Sequence, residues 1–361
     1  MPIWKVLPAN SHLEKKAFSF YRFFQTERDQ AMKKRKARRQ IQAGIDIGTR
    51  QVRLILEDEG IVFDEPCLLA VDQNGQTLAI GKQASQMRGL ADEEVRIISP
   101  FENGQVNLEA LKAYLEQLFL DCQVFRLFYR TVLAVSYPGS LSDEQAGQLK
   151  EYLLDLGAER VWFGQEILFS ALGSRIDIHA PVASCILNIG HENCEIAVYA
   201  RGKLKARESF SINGQAVSKQ IEGWLIEKNH LRVSDETIQQ IKEQLGGFLL
   251  SSYPAAMEIR GISLNSLNME TLVIDQNQVA SVLAPLLEAW CQWISTFLGS
   301  LDQHDLQDIY SRGIIACGGC LQLAGLASAL QELCRIPVFC ADNPSLTVAA
   351  GLQSMLGRIS F

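Results

Sequence analysis

Long uninterrupted hydrophobic runs are missing from this chain of 361 residues. Its most apolar long stretch, residues 279–301, is broken by Pro285, Glu288 and Gln292. A membrane-spanning helix needs about 20 predominantly apolar residues, so this stretch predicts a buried helix of a globular protein. The first residues also lack the pattern of a secretory signal peptide.

Disulfide and metal-site patterns are missing as well. The nine cysteines are odd in number and scattered through apolar stretches, which is typical of buried thiols in a reducing cytoplasm. The single Cys-x-x-Cys pair, Cys317 and Cys320, has no second pair to complete a zinc site, and the five histidines form no cluster. The sequence contains neither a P-loop nor a Gly-x-Ser-x-Gly elbow.

What is present is an ordinary globular composition with an uneven distribution of charge. Hydrophobic residues make up 47% and charged residues 21%, and the length suits two domains or one large bilobed domain. Residues 1–42 hold 11 Lys and Arg against 3 Asp and Glu, a net charge of +8, whereas the whole chain carries −7. The chain is therefore an acidic body with a basic N-terminal arm.

Two short turns, one domain apart, give the strongest local signal. Residues 44–49 read Gly-Ile-Asp-Ile-Gly-Thr, and the turn Gly48-Thr49-Arg50 contains the residue type that takes positive φ freely. A tight hairpin of this kind points backbone N–H groups outward and binds phosphate oxygens, although an ordinary hairpin would have the same residues. Asp46, at the strand end, is placed to hold water on a magnesium ion.

The strand–turn–strand pattern of residues 44–57 returns at residues 184–200. A repeat of this kind predicts two related α/β lobes, and a cleft between lobes is a preferred place for a polyphosphate ligand. Helical periodicity predicts six helices, at 107–121, 142–156, 165–172, 214–228, 234–246 and 277–299.

Residues 43–355 resemble the actin/hexokinase/heat-shock-chaperone superfamily, and within it the bacterial actin MreB. Gly60–Pro66 is similar to the MreB segment Gly-Ile-Val-Leu-Asn-Glu-Pro, and Ile80–Ala84 with Met87 is similar to its Val-Gly-x-x-Ala-x-x-Met. Asn343–Gly351 resembles its C-terminal Asp-Pro-Leu-x-x-Val-Ala-x-Gly.

The resemblance implies an α/β, bilobed, actin-like fold. Two related lobes, each with a central mixed sheet flanked by helices, would enclose a nucleotide cleft. The expected limits are an arm at 1–42, lobe I at 43–181 with 345–361 returning to it, and lobe II at 182–344. Small subdomains are expected at about 67–99 in lobe I and about 218–281 in lobe II.

The residues of the family's nucleotide site are only partly kept. The first phosphate turn is kept at Asp46, Gly48 and Thr49, with Arg50 beside them. Glu166 stands where the family's catalytic carboxylate orients the attacking water for phosphoryl transfer. The resemblance therefore implies ATP and magnesium as cofactors.

The second phosphate turn, Asp-Ile-Gly-Gly-Gly-Thr-Thr in the family, is altered here to the sequence from Asn188 to Cys194. Asn188 lacks the negative charge that holds hydrated magnesium. His191 and Glu192 replace glycines, and Glu192 places a negative charge toward the phosphates. Among the remaining site residues, the family's Gly190, Lys242, Gly318 and Gly319 are kept. This pattern predicts a weak or absent ATPase activity, and nucleotide binding in an altered manner is the alternative.

The basic arm combines aromatic residues at helical spacing, Phe20, Tyr21 and Phe24, with a polybasic run. The run includes Lys33, Lys34, Arg35 and Lys36. Such a segment suits an anionic membrane surface. The resemblance agrees with this, because MreB proteins bind the inner membrane directly. A solvated linker packed on the body is the second interpretation. A nucleic-acid arm, the third, is the least favoured.

Leu127 and Phe128, flanked by Arg126, Tyr129 and Arg130, align with an exposed loop that MreB inserts in membranes. A buried pair before a core strand is an equally good interpretation. The leading hypothesis is a divergent MreB-like actin on the inner face of the cytoplasmic membrane. It would form head-to-tail filaments, serve cell shape or spatial organisation, and contact membrane-bound morphogenesis or adaptor proteins. The alternatives are an FtsA- or PilM-like adaptor that does not polymerise and an active actin-type ATPase.

Overall fold

The structure, a computed structural model, describes residues 40–87 and 95–358. Residues 1–39 of the predicted basic arm lie outside the described residues, so its membrane role stays a prediction, and residues 40–42 begin β1.

Eighteen strands and ten α-helices are described in this part of the chain. The strands are β1 Gln40–Ile47, β2 Gln51–Leu56, β3 Gly60–Pro66, β4 Leu69–Val71, β5 Thr77–Ile80, β6 Arg96–Ile98, β7 Phe101–Glu102, β8 Gln105–Val106, β9 Arg130–Tyr137, β10 Ala158–Gln165, β11 Ser184–Ile189, β12 Cys194–Ala200, β13 Lys203–Ser209, β14 Leu231–Arg232, β15 Ala256–Ser263, β16 Met269–Asp275, β17 Ile314–Cys317 and β18 Val338–Cys340. The helices are α1 Gly81–Met87, α2 Leu108–Asp121, α3 Asp143–Asp155, α4 Glu166–Gly173, α5 Gly214–Asn229, α6 Asp235–Gln244, α7 Gln276–Gly299, α8 Gln303–Arg312, α9 Leu326–Cys334 and α10 Thr347–Leu356.

All six predicted helices are confirmed, with ends shifted by a few residues at most. Ser142 caps α3 and forms a capping box with Gln145, because each side chain bonds the other's backbone N–H. The apolar stretch around Pro285 forms α7, whose buried face includes Trp290 and Phe297. Among residues 40–87 and 95–358, no helix has both the length and the apolar character that crossing a bilayer would require.

Two five-stranded mixed sheets form the centres of the molecule, and their strand orders match. The first sheet has the order β3-β2-β1-β9-β10 and the second has β13-β12-β11-β17-β18. In each, three strands run antiparallel and the last two are added in parallel. Strands β11 and β12 are buried at every position, as expected for strands covered on both faces. The predicted internal repeat is confirmed.

The register makes the two halves comparable residue by residue. In the first sheet Asp46 lies opposite Arg53, and in the second Asn188 lies opposite Glu195. In both hairpins four residues, 48–51 and 190–193, connect the paired strand ends. The two turns therefore occupy equivalent places in the two sheets.

Helix α4 packs against both sheets. Helix α4 places Phe169 against Ile55 and Val132 of the first sheet, and its Ile167 and Ala171 against the second. Helix α10 packs on the first sheet beside α4.

The backbones of α4 and α10 touch through two glycines. A Cβ on Gly351 would lie 2.0 Å from the carbonyl oxygen of Phe169, and one on Gly173 would lie 1.8 Å from that of Thr347. No residue larger than glycine fits at either contact. The two helices are therefore in direct backbone contact beside the first sheet.

Smaller sheets extend each lobe. One joins β4, β5 and β6, and another joins β14, β15 and β16. The sequence analysis did not predict β15 and β16, because few large apolar residues mark their buried positions: β15 buries Ile259 with Gly261 and Ser263, and β16 buries Ile274. The expected domain and subdomain limits stay a prediction.

Candidate functional site

The first turn closes the β1–β2 hairpin through the N–H of Gly48, which donates to the carbonyl oxygen of Gln51 at 3.1 Å. Gly48 does not adopt positive φ, so the sequence-based reason for glycine was wrong. A Cβ at this position would lie 2.5 Å from the oxygen of Gln51. Glycine is required by close approach of the backbone.

Asp46 is buried at the end of β1 and pairs with a cation that the sequence analysis missed. Arg53 Nη1 lies 3.2 Å from Asp46 Oδ2, and Arg53 Nε lies 3.0 Å from Asp64 Oδ1. Burial raises the pKa of Asp46 to about 6, against the opposing effect of Arg53. The signal that would have found Arg53 is its place opposite Asp46 across a four-residue turn.

Glu166 begins α4 and is held by two asparagine side chains. Asn188 Nδ2 donates to Oε1 at 2.8 Å, and Asn193 Nδ2 donates to Oε2 at 2.9 Å. Burial, followed by the nearby charge of Asp46, raises the pKa of Glu166 to about 7. The structure thus brings the predicted Asp46, Glu166 and Asn188 together. Asn193 is a further member that sequence reasoning missed.

A second buried carboxylate supports this arrangement. Glu195 lies directly behind the second turn and accepts a hydrogen bond from Asn193 Nδ2 at 3.2 Å. Arg207 Nη2 lies 3.4 Å from Glu195 Oε1 and compensates its charge. Asn193 is therefore fixed between two carboxylates, as a donor to both.

A magnesium ion held through water by the strand ends does not fit these residues well. The carboxylate of Asp46 already has Arg53 as its cation, and Asn188 directs its amide nitrogen toward Glu166. Mg²⁺ is usually held through waters by one or two carboxylates, and here Arg53 takes one oxygen of Asp46 while Asn188 carries no charge. The strand ends therefore present an ion-paired carboxylate at Asp46 and an uncharged amide at Asn188.

The second turn repeats the geometry of the first. The N–H of Gly190 donates to the carbonyl oxygen of Asn193 at 2.7 Å, as Gly48 does to Gln51. The Nδ1 atom of His191 is buried and has no hydrogen-bond partner among the described residues. Burial, then the charges of Arg50 and Lys242, lower the pKa of His191 to about 3, so the imidazole is neutral.

Lys242 joins this corner from α6. Its Nζ donates to the carbonyl oxygen of Gly214 at 2.7 Å, at the start of α5, and burial lowers its pKa. The charges of Arg50 and Lys242 both act on His191, so these three residues lie in one corner of the cleft. Their role in nucleotide binding stays a prediction. Two cations beside a helix N-terminus give this corner a potential that favours anions.

Glu192 bonds to both lobes. Its Oε2 accepts the N–H of Gly104 at 3.0 Å, and its Oε1 accepts Gln215 Nε2 at 3.2 Å. Its own N–H donates to Thr49 Oγ1 at 3.2 Å, and its carbonyl oxygen accepts Asn213 Nδ2 at 3.0 Å. The predicted Thr49 therefore contacts the second turn.

The loop after β17 packs under the second turn. Gly318 has φ 93°, and a Cβ there would lie 2.4 Å from the carbonyl oxygen of Ile189. Both thiols of the Cys-x-x-Cys pair donate to the turn: Cys320 Sγ to the carbonyl oxygen of Gly190 at 3.5 Å, and Cys317 Sγ to Asn188 Oδ1 at 3.7 Å. A Cβ on Gly319 would meet no described atom within 4 Å.

Leu127 and Phe128 lie in the loop between α2 and β9, and their side chains are 85% and 94% exposed. The interpretation that they are buried before a core strand is wrong. Phe128 has φ 68°, an unusual backbone conformation for a residue with a bulky side chain. Their membrane role stays a prediction.

Two lobes of matching topology, with paired hairpin turns that meet through Thr49 and Glu192, define an actin-like protein. Solved structures agree with this fold. MreB5 of Spiroplasma citri bound to AMPPNP matches with a TM-score of 0.81 and 21% identity, over 88% of this chain and 96% of that one. A MamK double helical filament matches with a TM-score of 0.73 and 16% identity, over 89% and 100%.

The family model described as "MreB/Mbl protein" matches residues 40–360, and the chain therefore belongs to the MreB/Mbl family. The cell shape-determining protein Mbl of Bacillus subtilis is 27% identical over 88% of this chain and 96% of its own length. The cell shape-determining protein MreB of Escherichia coli K12 is 24% identical over 85% and 90%. The resemblance inferred from the sequence and the predicted fold are both confirmed.

Proposed function

We propose that this chain is a filament-forming actin-like scaffold in cell shape or spatial organisation, which binds an adenine nucleotide but hydrolyses it weakly. The names of its Mbl and MreB relatives support the role in cell shape. The MamK filament supports self-association, and MreB5 structures bound to AMPPNP and ADP support nucleotide binding.

The environment of Glu166 is the observation that carries the proposal of weak hydrolysis. A carboxylate that orients water must present an oxygen to it and must be ionised. Both oxygens of Glu166 already accept amide N–H groups, and its pKa of about 7 leaves much of it protonated near neutral pH. An attacking water would therefore have to share an oxygen of Glu166 with an asparagine.

The charges of the cleft support binding of the nucleotide's phosphates. Arg50 and Lys242 supply positive charge beside the N-terminus of α5. Magnesium binding, which was also expected, stays a prediction. The ion pair between Asp46 and Arg53 argues against a magnesium ion held by Asp46. Phosphate contacts would depend on side-chain cations more than on a metal held by Asp46.

Placement on the inner face of the cytoplasmic membrane is part of the proposal. The exposed Leu127 and Phe128, with Arg126 and Arg130 on either side, suit insertion into an anionic bilayer surface. Membrane-bound morphogenesis or adaptor proteins would be partners there.

The test combines electron microscopy of the purified full chain, with and without ATP, and a phosphate-release assay with magnesium ATP. We expect filaments and a slow phosphate release that the Glu166→Ala substitution changes little. Absence of filaments at high concentration would favour an adaptor of the FtsA or PilM kind. A turnover similar to that of ordinary actins, abolished by Glu166→Ala, would contradict the weak ATPase.

A further inference from the structure

The side chain of Glu192 is the strongest unexplained feature of the cleft. Glu192 occupies the third position of the second turn, which corresponds to Arg50 in the first turn. A carboxylate in a phosphate turn has no role in binding phosphate, because like charges repel at short range. In this structure both of its oxygens are instead engaged by donors from the chain itself.

Those donors belong to different lobes. Gly104, at the tip of the β7–β8 hairpin, donates from the first lobe, and Gln215, in the first turn of α5, donates from the second. The Glu192 carboxylate thus accepts one backbone N–H and one side-chain amide, and donors of both kinds would also serve a bound anion.

Two more hydrogen bonds cross between the lobes at the same place. The N–H of Glu192 donates to Thr49 Oγ1 of the first turn at 3.2 Å. Lys219 Nζ, from α5, donates to Asn103 Oδ1 beside Gly104 at 3.2 Å. The N–H of Glu192 is a donor that a phosphate turn would offer to its ligand, and here Thr49 accepts it.

We propose that Glu192 is a tethered anion that clasps the two lobes together and competes with the phosphates of a nucleotide for the second turn. The clasp consists of Glu192, Gly104, Thr49, Gln215 and the Asn103–Lys219 pair. The cleft then closes without a ligand, and a nucleotide binds fully only when its phosphates displace the Glu192 carboxylate. This inference rests on the proposed nucleotide cleft.

The first measurement needs no nucleotide. Hydrogen–deuterium exchange of residues 101–106 in the full-length protein reports the hydrogen bond of the Gly104 amide directly. Because this hydrogen bond lies at an exposed position, Glu192→Ala should speed exchange there by roughly two- to tenfold. Lys219→Ala, at an exposed position, should give a smaller increase in the same segment.

Glu222→Gln is the matched control, because it removes the same charge from an exposed position on α5. It should leave the exchange of residues 101–106 unchanged. Unchanged exchange in both Glu192→Ala and Lys219→Ala would overturn the clasp.

The second measurement is the affinity for ATP of the same proteins. Glu192→Ala should bind ATP about tenfold more tightly than the wild type, because the competing carboxylate is gone. Faster exchange with unchanged or weaker ATP binding would overturn the competition. If the wild type and every variant fail to bind ATP while exchange still quickens, the proposed nucleotide binding fails and the clasp alone stands.

Discussion

At the scale of single residues, the two halves of the cleft carry different charges at matched positions. Asp46 faces Arg53 across the first hairpin, whereas Asn188 faces Glu195 across the second. Within the turns, Arg50 carries a positive charge and Glu192, at the matching position, carries a negative charge. Arg53 compensates Asp46 in the first half and Arg207 compensates Glu195 in the second, so the two turns are not a symmetric pair of phosphate turns.

The ionisation of Glu166 predicts a pH-dependent stability. Its pKa is raised from 4.5 to about 7, so its contribution to stability is full below pH 4.5 and is lost as the pH rises to about 7. A Glu166→Gln protein does not have this titration. Its free energy of unfolding relative to wild type should increase from pH 5 to pH 8, by roughly 1–3 kcal/mol.

Urea unfolding at several pH values measures this difference. Glu159→Gln, at a partly exposed position whose ion pair with Arg130 lies outside the cleft, is the control and should show no such trend. A constant difference between Glu166→Gln and wild type across this pH range would show that Glu166 is not protonated in the folded protein.

The Asp46–Arg53 pair predicts how nucleotide binding responds to loss of magnesium. Because Arg53 already compensates Asp46, chelation by EDTA should change the affinity for ADP by less than about twofold, which corresponds to about 0.4 kcal/mol. In Arg53→Gln, Asp46 is left without its cation, and affinity should become magnesium-dependent. Isothermal titration with and without EDTA measures both, and a strong magnesium dependence in the wild type would refute the argument.

At the scale of elements, α4 packs against both sheets and against the backbone of α10. Helix α4 carries Glu166 at its first position, and its Phe169 packs in the apolar cluster of the first sheet with α10. Because interior packing is dense, a change in α10 is transmitted to the place where Glu166 stands.

The glycine contact predicts opposite effects for two similar substitutions. Gly351→Ala would place a methyl group 2.0 Å from the oxygen of Phe169 and should destabilise the protein by about 2 kcal/mol or more. Gly223→Ala, in α5, meets no described atom within 4 Å and should stabilise by roughly 0.5–1 kcal/mol. Thermal or urea unfolding decides, and equal effects of the two substitutions would refute the helix contact.

The sequence predicted the elements better than the contacts between them. Strong apolar periodicity and the returning strand–turn–strand pattern predicted the helices and the paired sheets. Strands β15 and β16 were missed because their buried positions hold few large apolar residues, with Ile259 in β15 and Ile274 in β16. Arg53 and Asn193 were missed because their roles depend on which residues lie opposite them after folding.

At the scale of the whole molecule, the exposed loop predicts a membrane-binding surface. Replacing Leu127 and Phe128 together with serine should reduce co-sedimentation with anionic liposomes, without lowering stability, because both side chains are exposed. Leu120→Ser, at another exposed position on α2, is the control. Deletion of residues 1–40 tests the arm separately. Equal pelleting of wild type and the double variant would refute the role of the loop.

The position of α10 also has a consequence for synthesis of the chain on the ribosome. The first sheet contributes Ile55, Val132 and Ala134 to a cluster that Leu352 and Leu356 of α10 complete. Those leucines are translated after the whole second lobe. One face of the first lobe therefore stays open to water through most of translation, and a nascent chain is exposed to aggregation or chaperone capture until its last helix emerges.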